Sequence, residues 1–363
     1  MLDPKILKNE EKAVFALRKL YRQYGYLPYK MSKFEAYEYY MQNKDFLVSD
    51  RIITFNDTNG RLLALKPDVT LSIIKNGEDT PGCKQKVYYN ENVYRVSENT
   101  HQFKEIMQAG LECIGDIDLY DIFEAVSLAA QSLALISDEF VLQISHLGVL
   151  SAVLEKISPD QAFRQKVIAC MKSKNPHDLS RLCEQQGVED TQLLKLLNAY
   201  GSRAKVLKEL ETLDCGEAAL QELQTLSALL DQLPWGDKIV FDFSAVNNMN
   251  YYNGIVFRGF LSGICESVLA GGQYDKLMQK LDRRAGAVGF AVYLDLLEQM
   301  PSEEEEYDVD VLLLYEADTD KQAVAKAVSA LTSVGKTVST QKSIPQKLRY
   351  RKLMKLSKEG TLC

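Results

Sequence analysis

Four short segments set polar side chains between apolar ones in patterns that suit gripping a small charged molecule. In Leu65-Lys66-Pro67-Asp68-Val69-Thr70 an acid and a hydroxyl lie two residues apart, directly after a hairpin strand. A carboxylate there can hold an ammonium group. Asp68 and Thr70 are equally good first-turn residues for a helix through LSIIKN. In VYYNENVYR, residues 87–95, Arg95 is the only basic residue. A guanidinium after an aromatic-rich strand can stack and still clamp a carboxylate or phosphate, or simply end the strand at the surface. In EIMQAGLE, residues 105–112, Gln108 and Glu112 share one face of a strand and offer an amide and a carboxylate to one ligand. A solvent-facing polar stripe is the commoner meaning of that spacing. The fourth segment joins NYYN, residues 250–253, to LAGGQYD, residues 269–275. Gly271 and Gly272 let backbone approach a ligand closely, and Tyr252 and Tyr274 can wall an aromatic ring. A plain turn and ordinary core packing are the structural alternatives.

Other chemistries have little to work with. The three histidines, His101, His146 and His177, form no HxxxH array, which disfavours a histidine-ligated metal and a Ser-His-Asp mechanism. The seven cysteines (Cys83, Cys113, Cys170, Cys183, Cys215, Cys265 and Cys363) are scattered and never form CxxC, so free, mostly buried thiols in a reducing compartment are expected. No metal and no cofactor is expected. A balance of 43 Lys and Arg against 50 Asp and Glu, net −7, weighs against broad nucleic-acid binding. The start, MLDPKILKNEEK, is charged throughout, and no stretch reaches the roughly 18 apolar residues a membrane span requires. The expectation is a cytoplasmic protein that uses no membrane.

The elements that must position these groups follow from periodicity. Residues 8–24 have helical spacing and stop at Gly25. Residues 52–65 read as a hairpin around Asn59-Gly60. Strands are expected at about 86–89 and 105–113, a helix at 119–136, and a strand at 140–145. Residues 147–235 turn Leu-rich and helical, as an insertion would. Strands resume at 238–243, 254–260 and 266–270, and AVGFAVYLDLLEQM, residues 287–300, reads as a buried helix. Glu303–Glu306 reads as a charged spacer. A small βαβα piece then follows, with its last helix from about Pro345. Strands in runs rather than strict βα alternation predict α+β with a mostly antiparallel sheet.

In order and spacing, these segments resemble histidyl-tRNA synthetase. LKPDVT is similar to that family's LRPEGT. YRVSENTHQFKEIMQAGLE is similar to its motif 2 and following strand, and NNMNYYNGIVF to RGLDYYNRTVF. LAGGQYDKLMQKL is similar to its AGGRYDxL segment, and AVGFAVYLDLL to its motif 3, AVGFAxGxER. The resemblance covers most of residues 1–300. It implies a class II aminoacyl-tRNA synthetase-like antiparallel sheet flanked by helices. Residues 1–302 would form the core, with the helical insertion at about 150–235, and residues 307–363 a truncated anticodon-domain-like βαβα segment. Carried across, Asp68, Thr70, Gln108 and Glu112 sit where the family holds histidine, Tyr252 and Tyr274 match its ring-pocket tyrosines, and Arg95 matches the motif 2 arginine.

The departures point elsewhere. The RGLDYY arginine is Asn247 here, the motif 3 arginine falls at Leu296, the motif 2 glutamate is Ser97, and the motif 3 glycine is Tyr293, which would crowd a nucleotide. Adenylate formation depends on positive charge placed against the phosphates. A synthetase-like chain with these losses resembles the histidyl-tRNA synthetase-like regulatory subunits of ATP phosphoribosyltransferase. That resemblance implies a non-catalytic subunit and a short-form catalytic partner. It also implies a homodimer within a hetero-octamer, histidine as a candidate feedback ligand, and the first step of histidine biosynthesis. The competing expectation is a divergent synthetase-like enzyme that still activates an amino acid. A tRNA-binding module is disfavoured by the acidic balance and the short tail.

Overall fold

The structure is a computed structural model and describes residues 7–44, 47, 52–77, 82–97, 100–158, 160–213, 215–244, 251–300, 306–357 and 361. The chain divides into two compact units, Met1–Met300 and Pro301–Cys363. Residues 301–305, most of the acidic spacer, lie outside the described residues, as does Asn247.

Unit one opens with helix α1 (Asn9–Gln23), which buries Ala13, Leu17, Leu20 and Tyr21 along one stripe. A two-residue strand β1 (Leu27–Pro28) follows, then β2 (Phe34–Ala36) and α2 (Tyr37–Gln42). The expected hairpin is β3 (Thr54–Asn56) and β4 (Leu62–Leu65), paired antiparallel, with β2 on the other side of β4. Its turn is held by Asp57, whose Oδ1 accepts from the amides of Asn59 and Arg61 at 2.8 Å each. Helix α3 (Thr70–Asn76) leads to the two longest strands, β5 (Lys84–Val96) and β6 (Phe103–Gly115), paired along their whole length.

Helix α4 (Leu119–Ile136) is capped by Asp118, which accepts from the amides of Tyr120 and Asp121. Among the described residues it is the one helix long and apolar enough to cross a bilayer, a possibility that sequence inspection passed over. Here it lies in the core with Ala125, Val126, Leu128, Ala129 and Leu133 buried. Strand β7 (Phe140–His146) then feeds the insertion. This comprises α5 (Leu147–Ile157), α6 (Gln161–Lys172), α7 (Pro176–Gln186), α8 (Thr191–Asn198), a short strand β8 (Tyr200–Ser202), α9 (Arg203–Leu210) and α10 (Glu217–Leu230). The chain returns through β9 (Ile239–Asp242), β10 (Ile255–Leu261), β11 (Leu269–Gln273), α11 (Asp275–Lys280) and β12 (Gly286–Tyr293).

The main sheet has nine strands in the order β1-β5-β6-β12-β11-β10-β7-β9-β8. Only β1 with β5 and β7 with β9 are parallel; the other neighbours are antiparallel. The expected antiparallel-dominant α+β architecture is therefore present. Alternation along the strands sorts two faces. Leu111, Cys113, Val288, Phe290 and Val292 join the core built on α1 and α4. Gln108, Gly110, Glu112, Gly289 and Ala291 point to the other side.

Two expected helices are strands. Residues 286–293 form β12, and only 294–299 coil into a short 3-10 turn. An apolar run of this kind fits a buried helix and a strand covered on both faces equally well. Two waiting neighbours, β6 and β11, decide it. In unit two, β13 (Val309–Tyr315), α12 (Lys321–Thr332) and β14 (Val338–Gln341) appear as expected, but residues 350–356 form β15 instead of a helix. The unit is βαββ, a parallel sheet in the order β14-β13-β15. Met354 and Leu356 are the reason: placed two apart, both turn to the cluster of Val311, Leu313, Ala327 and Leu331.

Arg203 fastens the insertion to the sheet. Its buried guanidinium donates to the Ile239 carbonyl at 2.7 Å and to Ser227 Oγ at 3.2 Å, and it also bonds the Gly236 carbonyl and Asp231. Arg203→Ala strands the buried Ile239 carbonyl and Ser227 hydroxyl and should lower unfolding free energy by about 3 kcal/mol. Urea unfolding midpoints of the two proteins measure this, and a loss near zero would show that the insertion is held by packing alone.

Candidate functional site

The polar face of the sheet carries a cavity of about 90 Å³. All seven residues singled out by sequence line it: Asp68, Thr70, Arg95, Gln108, Glu112, Tyr252 and Tyr274. Tyr89, Tyr251, Ala270, Gly289, Ala291 and Tyr293 complete much of the wall.

Glu112 organises it. Oε1 accepts from Thr70 Oγ1 at 2.7 Å, and Oε2 accepts a short bond from the Tyr274 hydroxyl. Those donors come from the start of α3 and from the residue that precedes α11. The carboxylate itself lies directly over Gly289 in β12: a Cβ there would sit 1.8 Å from Oε2. Burial pushes the Glu112 carboxyl up to about 8, partly opposed by the Tyr274 and Thr70 bonds, while nearby Asp68 pushes further upward.

Asp68 and Thr70 stand at the start of α3 and also line the cavity. Asp68 Oδ1 accepts from the Leu71 amide at 3.0 Å, stabilising the first turn of α3, yet its side chain also lines the cavity. Burial raises its carboxyl too, against the Leu71 amide and the Arg95 guanidinium. Arg95 is drawn inward: Nε donates to the Pro67 carbonyl at 3.0 Å, and the guanidinium lies near the Tyr293 hydroxyl and partly offsets its rise by burial. Gln108 and Glu112 share a face as their spacing requires, and Gln108 stands opposite Tyr293 across the β6–β12 ladder. Tyr251 packs on Tyr252 and Tyr274, with ring centroids 4.6 and 5.6 Å apart, and burial raises all three hydroxyls well above the ordinary phenol range. The site therefore pairs two carboxylates with one guanidinium inside an aromatic wall. That arrangement suits a small zwitterion bearing a flat ring.

Sequence reasoning omitted Tyr89 and Tyr251 as wall residues. Counting by twos along β5 finds Tyr89, because it stands opposite Gly110, midway between the partners of Gln108 and Glu112. Tyr251 carried no signal beyond its place beside Tyr252. Tyr293 stands in the cavity wall, and Leu296 packs against the main core. Among the described residues no cluster of His, Cys, Asp or Glu could hold a metal ion.

A nine-stranded, mostly antiparallel sheet with this polar pocket on one face is a class II synthetase-like scaffold. Residues 1–297 match the histidyl-tRNA synthetase family model, and the chain belongs to that family. Within it, the chain groups with the ATP phosphoribosyltransferase regulatory subunits. One such protein, from Oceanobacillus iheyensis, is 30% identical over 285 residues, which span 76% of this chain and 69% of the relative. The fold is shared with an ATP phosphoribosyltransferase regulatory subunit/histidyl-tRNA synthetase from Bacillus halodurans, at TM-score 0.77 and 22% identity, covering 98% and 99% of the two chains. It is also shared with a chain of the ATP phosphoribosyl transferase (HisG:HisZ) complex from Thermotoga maritima, at TM-score 0.64 and 21% identity, covering 78% and 97%.

The buried carboxyl makes stability depend on pH with a definite sign. A carboxyl raised from 4.5 to about 8 in the fold favours the folded state while protonated. That contribution is complete below pH 4.5, is lost as pH rises through 8, and is then constant. Glu112→Gln removes the titration. The melting temperature of the variant minus that of the native chain should climb between pH 5 and 8 and flatten above, reflecting a few kcal/mol. A difference flat with pH would contradict the burial of this carboxyl.

Proposed function

We propose that this chain is a non-catalytic regulatory subunit that a short-form ATP phosphoribosyltransferase needs for activity, and that its cavity binds histidine for feedback on the first step of histidine biosynthesis. By the same reading it works in the cytoplasm as a homodimer inside a larger assembly with the catalytic chain. One observation carries the proposal: the amino-acid groups converge in one cavity while the positions that should meet a nucleotide do not offer charge. Tyr293 stands in the wall near Arg95, and Leu296, half-buried, packs against the apolar core. A phosphate-handling site of this kind needs the arginine whose place Leu296 takes, and Tyr293 fills the space the motif 3 glycine leaves open; a missing donor is worth about 2.7–4 kcal/mol of transition-state stabilisation by analogy with an oxyanion hole. The regulatory relative from O. iheyensis supports the assignment, and the T. maritima complex supports the nature of the partner.

Two assays test it. ATP–pyrophosphate exchange with histidine should stay at background; robust exchange would establish the enzyme reading instead. Mixing this protein with its cognate short-form catalytic chain should raise phosphoribosyltransferase activity severalfold, and histidine should lower it again. No activation would remove the proposal. Within the cavity, Glu112→Gln leaves no acid to ionise against the ligand's cation and should weaken histidine binding about 10- to 100-fold by calorimetry.

A further inference from the structure

One strand beyond the cavity, the same face of the sheet carries a guanidinium that lacks a hydrogen-bonded acid among the described residues. Cross-strand partners run in a single row from Gly110 in β6 to Ala291 in β12, Ala270 in β11 and Arg258 in β10. Residues directly opposite one another in antiparallel strands project to the same side. Arg258 therefore stands on the cavity's side of the sheet, beside Ala270, the last lining residue in that direction. Between it and the cavity the row holds nothing larger than a methyl group. An arginine side chain is longer than the roughly 4.8 Å between neighbouring strands, so the guanidinium can reach over that floor.

Arg258 is mostly buried, and its Nε has no hydrogen-bond partner among the described residues. Burial lowers the affinity of its guanidinium for a proton, and Asp242 only partly restores it. Asp242 is engaged elsewhere: it accepts from the Ser244 amide at 3.0 Å, from the Ser244 hydroxyl, and from Lys174 Nζ at 3.4 Å. The Phe260 ring, 5.8 Å from Arg258 Cζ, steadies the side chain without neutralising it. A guanidinium taken out of water without a hydrogen-bonded anion is costly unless a ligand supplies one.

The occupant's own charges indicate which anion. Asp68 and Glu112 attract the cationic part of a zwitterion and repel its carboxylate. Arg95 is already tied to the Pro67 carbonyl and faces Asp68. We propose that Arg258 is the carboxylate-binding residue of this site, so that a free amino acid lies with its ring and amine toward Glu112 and Asp68 and its carboxylate over Ala291 and Ala270 against the Arg258 guanidinium. The subsite distinguishes a free amino acid from its decarboxylated or esterified forms. It rests on the reading of the cavity as a histidine site.

Calorimetry on the full chain with histidine and with histamine, which keeps ring and amine but lacks the carboxylate, tests this. The native protein should prefer histidine by at least about tenfold. Arg258→Met should weaken histidine about 10- to 100-fold, to the level of histamine, and leave histamine unchanged, with Arg258→Lys between. The ligand-free Met variant should melt at or above the native temperature, because it loses a buried charge without a hydrogen-bonded anion. Unchanged histidine affinity, an equal loss for both ligands, or a destabilised ligand-free variant would each overturn the role of Arg258 and leave the histidine reading standing. A native protein that binds neither ligand would overturn that reading, and this inference with it.

Discussion

The Glu112 carboxyl is the contact on which the site depends. Thr70 brings the start of α3 to it, Tyr274 brings the chain leaving β11, and Gly289 gives it room above β12. Three segments far apart in sequence thus meet at one acid on a fourth. Each hydroxyl satisfies an oxygen that burial would otherwise leave costly, and the acid in turn fixes both hydroxyls. The same burial that makes the acid a good anchor also makes it reluctant to ionise until a cation arrives.

Around that anchor the site has an uneven charge layout. Its acids are buried and hydrogen-bonded, and its one lining guanidinium is turned toward a backbone carbonyl and a tyrosine. A scaffold that activates amino acids must hold both a zwitterion and a polyphosphate. Here the groups suited to the zwitterion converge, whereas Tyr293 and Leu296 answer packing demands. Side chains at Tyr293 and Leu296 can change what the pocket accepts without disturbing the sheet beneath it, because those positions lie at and beyond the end of β12.

Much of this was legible in the sequence, and the misses have physical causes. The hairpin at Asn59-Gly60 and helix α4 were found because turn chemistry and helix-forming composition are local. Gln108 and Glu112 were paired correctly because a strand repeats every two residues. The run 287–293 was misread because a strand covered on both faces loses that alternation. Residues 350–356 were misread because the demand for a third strand comes from β13, not from the segment itself. Tyr89 and Tyr251 were overlooked because a tyrosine in a pocket wall and a tyrosine in a core look alike until the register is known. The position of Asn247 lies outside the described residues, so its part in the site rests on sequence alone.

The insertion has a consequence for how the chain reaches this state. Strands β7 and β9 are parallel neighbours, and residues 147–238 form the crossover between them. A parallel pair separated by so long a connection cannot zip from a turn; its ends must be brought together across the loop, and the entropy of closure is spent before any ladder bond forms. Helices α5 to α10 make that connection compact in the native fold, and Arg203 joins it to β9. Because β10, β11 and β12 follow the insertion in sequence, Tyr252, Tyr274 and Gly289 are synthesised after it. A newly made chain therefore carries Glu112 well before the groups that bury it exist.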